Sequence, residues 1–157
     1  MDLRIELIVA MQRTQAGMLA WLEKVDLNRK IYPLWTIREI VAHLSGWDDS
    51  ILAMMDTLEQ GGTPATPASR GIDAYNAETV HTREGLDYDH IYREYVETRL
   101  MVLSRLQRLT SEQLQQESIL PWGPKGTLEN LCQVLIEHEL EHTEDVKKLV
   151  EAAGAAG

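Results

Sequence analysis

The sequence predicts an all-α protein, a four-helix bundle with a long crossover between its second and third long helices. Three observations carry this expectation. Apolar residues return every three or four positions over four stretches, near 2–25, 36–60, 88–109 and 127–151. No segment shows the period-two alternation of a strand pair, and no Gly-rich strand-to-helix motif appears. Between the second and third stretches lies Gly61-Gly-Thr-Pro-Ala-Thr-Pro-Ala-Ser69, whose glycines stop a helix and whose prolines keep the chain extended. A connection of that length suits a crossover better than a tight antiparallel hairpin.

The elements follow in order. Leu3, Leu7, Met11, Thr14, Met18, Leu22 and Val25 step along one face and predict the first helix. Asn28 to Leu34 breaks the pattern at Pro33. Thr36 and Glu39 then spell a T-x-x-E capping box, which starts a second helix carrying Ile40, His43, Trp47, Ile51 and Met54 on one face. Ile72 to Arg83 predicts a short helix. The third long helix offers Ile91, Tyr95, Leu100, Val102, Leu103 and Leu106 to the core. Thr110 to Leu114 reads as a turn with a helical stub, and Pro121-Trp122-Gly123-Pro124-Lys125-Gly126 as a rigid loop. Thr127 after Gly126 caps the last helix. Residues 1–157 read as one domain with 152–157 a disordered tail.

Composition narrows the function. Acidic residues outnumber basic ones 25 to 15, a net charge of −10, which predicts no nucleic acid and no anionic membrane surface as partner. No run approaches the roughly 18 apolar residues of a membrane span. The N-terminus enters an amphipathic pattern without the apolar core of a signal peptide. The single cysteine, Cys132, permits no intramolecular disulfide and reads as a small buried hydrophobe. These features predict a cytoplasmic protein.

The chemistry concentrates on the last helix. His138 and His142 lie one turn apart inside the apolar stripe, between Leu131/Leu135 and Val146/Leu149. Two titratable rings on a buried face need a partner, and a metal ion satisfies both at once. The same residues spell His138-Glu139-Leu140-Glu141-His142, an HExxH pattern and, through Glu141, an inverted HxxEH. A zincin needs a third ligand downstream. After His142 only Glu144, Asp145 and Glu151 remain, all on or near the same helix, so the protease reading is rejected. The third ligand must come from upstream. Bundle metal sites are built from inward side chains on facing helices, which favours His43 over His81 and His90, both at poorly apolar positions.

The block Trp35-Thr-Ile-Arg-Glu-Ile-Val-Ala-His43-Leu-Ser-Gly-Trp47-Asp48, followed by His138-x-x-x-His142, resembles the DinB/YfiT-like metalloenzyme superfamily over nearly the whole chain. The Trp122 loop and the Trp35 block resemble its DfsB-like branch, whose members do not all keep the three histidines. The resemblance implies a divalent metal held by His43, His138 and His142 inside a four-helix bundle, and a homodimer. It also implies bacterial relatives that transfer low-molecular-weight thiols or act as hydrolases or isomerases on small-molecule substrates.

Three neutral imidazoles leave a coordination position open, as catalytic metals require. Zinc is the default, with nickel, iron and manganese also accepting nitrogen ligands. Such a metal would lower the pKa of a bound water or take a thiolate. The expected function is a metal-dependent hydrolase or thiol S-transferase acting on a small electrophile. The alternative is a protein of the same fold that binds or sequesters a small molecule without turnover, in stress or toxin resistance. Glu141 and Asp48 are the candidate general bases, with Glu139 and Asp49 beside them. Trp35, Trp47 and Trp122 are expected to line a pocket, with Tyr75 and Asn76 contributed by the crossover.

Overall fold

A computed structural model of the chain describes residues 2–156. Its four long helices are α1 (Leu3–Leu22), α2 (Ile37–Gln60), α4 (Tyr88–Leu106) and α6 (Leu128–Ala156). Two shorter helices, α3 (Ile72–His81) and α5 (Ser111–Gln115), lie in the connections. In the bundle α1 packs on α6 and α4, and α2 packs on α4 and α6. The crossover carries a short 3-10 turn at Pro67–Arg70 before α3 docks against α2.

Helix starts follow local chemistry. Asp2 accepts from the Arg4 N–H at 2.9 Å and Asp87 from the His90 N–H at 2.8 Å. The Glu39 carboxylate accepts from the Thr36 N–H at 3.1 Å, as the capping box predicts. Thr127 and Asn130 exchange side chain-to-backbone bonds at 3.1 and 3.2 Å to open α6. At its other end α6 runs on to Ala156, so the expected tail from 152 is helical instead, in keeping with the helix-forming Ala152, Ala153 and Ala155. Gly157 lies outside the described residues.

Two small antiparallel ladders break the all-helical pattern: β1 (Lys30–Tyr32) with β2 (Trp35–Thr36), and β3 (Ser118–Ile119) with β4 (Lys125–Gly126). Two or three residues are too few to display a period in the sequence. Both ladders deliver aromatic residues to one region. The second is closed by Gly123 at φ +115°, a left-handed conformation open to glycine, which turns the chain just after Trp122.

The core divides in two. One cluster gathers Met11, Met54, Leu106, Leu128, Leu131 and Cys132, and the other Met18, Ile37, Ile40, Ile91, Tyr95 and Val146. Along α1, α4 and α6 the buried polar residues Thr14, Arg99 and Glu139 fall between the members of the two clusters. Leu100 and Val134, expected in apolar stripes, are 60% and 48% exposed. Among the described residues no helix is long and apolar enough to cross a membrane.

Candidate metal centre

Packing of α2 against α6 brings His43 to His138 and His142. One ring nitrogen from each of the three lies within 4.8 Å of the others. His138 Nε2 stands 2.9 Å from His43 Nε2 and 2.8 Å from His142 Nε2. His43 is 3% exposed, its ring tilted 5.0 Å from that of Trp35 and edge-on to Trp47. His81 and His90 are on the surface.

The hydrogen bonds of His142 decide its tautomer. Tyr32 donates its hydroxyl proton to Asp145 Oδ2 at 2.5 Å, and the Tyr32 hydroxyl oxygen lies 2.8 Å from His142 Nδ1. With its proton committed, the Tyr32 oxygen accepts, so Nδ1 carries the hydrogen and Nε2 presents a bare lone pair. Burial pushes the His142 imidazolium down to about 4, helped by His138, and His43 down to about 2, helped by both other histidines. His138 is lowered by burial as well. Three neutral rings therefore turn Nε2 atoms toward one point, where at most one shared proton relieves the facing lone pairs. That donor set fits a divalent cation. His43 Nδ1 is buried without a hydrogen-bond partner among the described residues, so no carboxylate or carbonyl of those residues orients that ring.

Tyr32 and Asp145 escaped the sequence reading. Tyr32 falls in the stretch that broke the helical pattern, and no local signal tells that its hairpin folds over α6. The available hint was Asp145, one turn past His142 on the helix, where a carboxylate serving a ring would stand.

The expected bases are placed differently. Glu139 is 1% exposed and Asp48 2% exposed, and both serve Arg99. Arg99 donates to Asp48 Oδ2 and Oδ1 at 2.9 and 3.2 Å, and to Glu139 Oε1 and Oε2 at 3.0 and 2.9 Å. Its fifth bond, at 2.7 Å, goes to the Met11 carbonyl. Thr14 and Tyr95 also donate to Glu139. Asp48 thus belongs to a buried ion network and makes no hydrogen bond to a histidine. Periodicity could not reveal this, because Arg99 reaches both carboxylates from α4. Burial still pushes the Asp48 carboxyl up to about 6, against the pull of Arg99. Asp49 pairs with Arg83 at 2.9 Å. Glu141 is exposed, and its charge reaches both His138 and the Tyr32 hydroxyl.

Of the expected pocket residues, Trp47, Trp122 and Asn76 line a cavity of about 260 Å³ that reaches His138. Trp35 lies against His43 and outside that lining, in the β1–β2 ladder. Tyr75 supports Trp47 edge-on at 4.6 Å and spends its hydroxyl on the Gly46 carbonyl. The close approach behind this requires Gly46, since a Cβ there would overlap the Thr79 side chain. A cleft of about 350 Å³ between Leu58, Gly61 and Lys125 contains none of the histidines.

With this geometry in view, the family model of the DinB superfamily matches residues 9–146. The chain belongs to the DinB superfamily. No curated protein sequence matches it. Among solved structures, this DinB chain is similar to the colibactin self-resistance protein ClbS in complex with double-stranded DNA, at 17% identity and a TM-score of 0.75, covering 93% of this chain and 94% of that one. It is similar to YfiT from Bacillus subtilis, described as a probable metal-dependent hydrolase with an unusual four-helix bundle topology, at 21% identity, TM-score 0.70, and coverage of 96% and 87%. It is also similar to a mycothiol-dependent maleylpyruvate isomerase, at 17% identity and TM-score 0.72, covering 91% of this chain and 60% of that enzyme. Identities this low carry the fold.

The ClbS complex corrects one expectation. Net charge predicted no nucleic-acid partner, yet a protein of this fold is seen with double-stranded DNA. Total charge is the wrong quantity for that exclusion, because phosphates are met by a local patch rather than by the sum over the chain.

Proposed function

We propose that this DinB protein is a metal-dependent enzyme in which His43, His138 and His142 hold a divalent cation, zinc by default with nickel, iron or manganese as other candidates. It would act on a small electrophilic substrate by hydrolysis or by transfer of a low-molecular-weight thiol. The observation that supports this reading is the convergence of three neutral Nε2 atoms beside a cavity. A bound divalent cation supplies Lewis acidity, which lowers the pKa of a water or thiol in its open position.

The chain's own residues supply the rest. Asp145 and Tyr32 hold His142 with Nε2 inward. Trp47 and Trp122, packed edge-on, wall the cavity beside His138. Glu141, exposed and with its charge acting on His138, is the candidate base at the edge of the site. A second reading, binding without turnover, draws on the engagement of both buried carboxylates with Arg99, which leaves no buried base facing the rings.

Metal analysis of the purified chain after zinc loading tests the reading. One equivalent is expected in the native protein, in His81→Ala and in His90→Ala, with loss in His43→Ala, His138→Ala and His142→Ala. Full zinc content in His43→Ala would overturn the site. Turnover of a neutral activated ester, with and without a low-molecular-weight thiol, then separates hydrolysis, thiol transfer and simple binding.

A further inference from the structure

The cavity beside His138 has an unusual balance of hydrogen-bonding groups. Its walls are Trp47, Trp122, Val134, Leu135 and Ile72, with Asn76 and His138 as the polar members and no charged residue among them. The Trp47 indole N–H donates to Asn76 Oδ1 at 2.8 Å. An indole can only donate, so the Asn76 atom facing it must be the oxygen. The amide is thereby oriented, one lone pair of its oxygen is taken, and its NH₂ has no partner among the described residues. Trp122 likewise brings an indole N–H that no described residue engages. With Nε2 given to the metal, the His138 Nδ1–H is a further donor, and at this one point the inference rests on the proposed function. Apart from the second lone pair of Asn76 Oδ1, the polar side-chain groups of the lining are donors.

We propose that this cavity selects an uncharged substrate with a flat apolar body and a carbonyl-type acceptor oxygen, and that Asn76 is the residue that determines this choice. The apolar walls take the body, since burying aromatic surface against Trp47 and Trp122 is favourable. The oxygen meets Asn76 Nδ2–H and Trp122 Nε1–H. An ammonium group finds one amide lone pair and the indole faces but no counter-charge there, so most of its lost hydration goes uncompensated. In metal-free protein a carboxylate finds donors but gives up its hydration to groups that carry no formal charge, whereas a bound cation would offer it a counter-charge.

Acetophenone, benzylamine and benzoate share a ring and differ in the group presented, which makes them the probes. Each is titrated into the metal-free chain and followed through the Asn76 side-chain amide and the Trp122 indole resonances. Acetophenone is expected to shift both signals and to bind at least tenfold more tightly than benzylamine or benzoate. Asn76→Asp keeps an acceptor for the Trp47 indole and replaces the free donor with a second acceptor oxygen and a charge. It is expected to weaken acetophenone about tenfold, to strengthen benzylamine, and to leave zinc content unchanged. Asn76→Asp with an unchanged preference would overturn the inference, as would benzylamine or benzoate binding as well as acetophenone, or no response to any probe. The titration is repeated on zinc-loaded protein, where acetophenone is still expected to bind more tightly than benzylamine. Loss of zinc binding with that order intact would overturn the proposed function and leave the cavity assignment standing. Zinc binding with the order lost would do the reverse.

Discussion

Replacing Arg99 by methionine tests what holds the four long helices in register. Arg99 makes five hydrogen bonds, two to Asp48 on α2, two to Glu139 on α6 and one to the Met11 carbonyl on α1. Methionine leaves two carboxylates, 2% and 1% exposed in the native chain, without a cation. Removing one partner of a buried ion pair costs about 3–5 kcal/mol, against a total stability of roughly 5–15 kcal/mol for a domain. With a urea slope of roughly 2 kcal/mol per molar, the unfolding midpoint should fall by about 1.5–2.5 M.

The pH dependence separates charge from packing. Burial already raises Asp48 to about 6 in the folded chain, so its protonated form is favoured by folding. A raised carboxyl contributes stability that is present below its unfolded pKa of about 3.9 and lost as pH rises through the folded value. Without Arg99 that window moves upward, so the loss should be smaller at pH 5 than at pH 8. Neutralising the pair as well, with Asp48→Asn and Glu139→Gln, should recover part of the loss. Urea unfolding in the presence of a chelator measures all of this. A loss below 1 kcal/mol, or one equal at both pH values, would refute the reasoning.

Other expectations follow from the site and its surroundings. Tyr32→Phe removes the hydroxyl that fixes His142 and should weaken zinc binding about 10–100-fold by competition titration, with little change in urea midpoint. Gly46→Ala should cost about 1–3 kcal/mol, and Thr79→Ser should restore part of it, since the overlap is with the Thr79 side chain. In metal-free protein the depressed histidines add stability that is complete above their unfolded pKa of about 6.5. That stability should fade as pH drops toward about 4, the value for His142, with the His43 share persisting toward about 2. Thermal melts between pH 7 and 4 read this, and His142→Asn should flatten the fall. Cys132, buried and pushed up to about 12, should resist alkylation in native protein and react in urea.

Much of the molecule is local in origin and so was legible in the chain. Helix periods depend on residues three and four apart, and the Thr36/Glu39 box on residues three apart. One turn between His138 and His142 already placed both rings on one face. Adding His43 required just that α2 pack against α6, which an apolar stripe on each makes favourable.

The rest depends on contacts between residues far apart in sequence. Arg99 and Glu139 are 40 positions apart, Tyr32 and His142 110 apart, and Trp47 and Asn76 29 apart. An isolated Glu on an acidic helix has the same local pattern whether solvated or buried, so nothing in the chain set Glu139 apart from Glu141 until Arg99 faced it. Tyr32 sat in a stretch without period because its fold is a two-strand ladder, and pairing of that kind is written in neither strand alone. Polarity placed His43, His138 and His142 on inward faces. Which of their nitrogens meet, which carboxylates reach them and which stay with Arg99 was decided by the packing of helices whose partners the chain itself does not name.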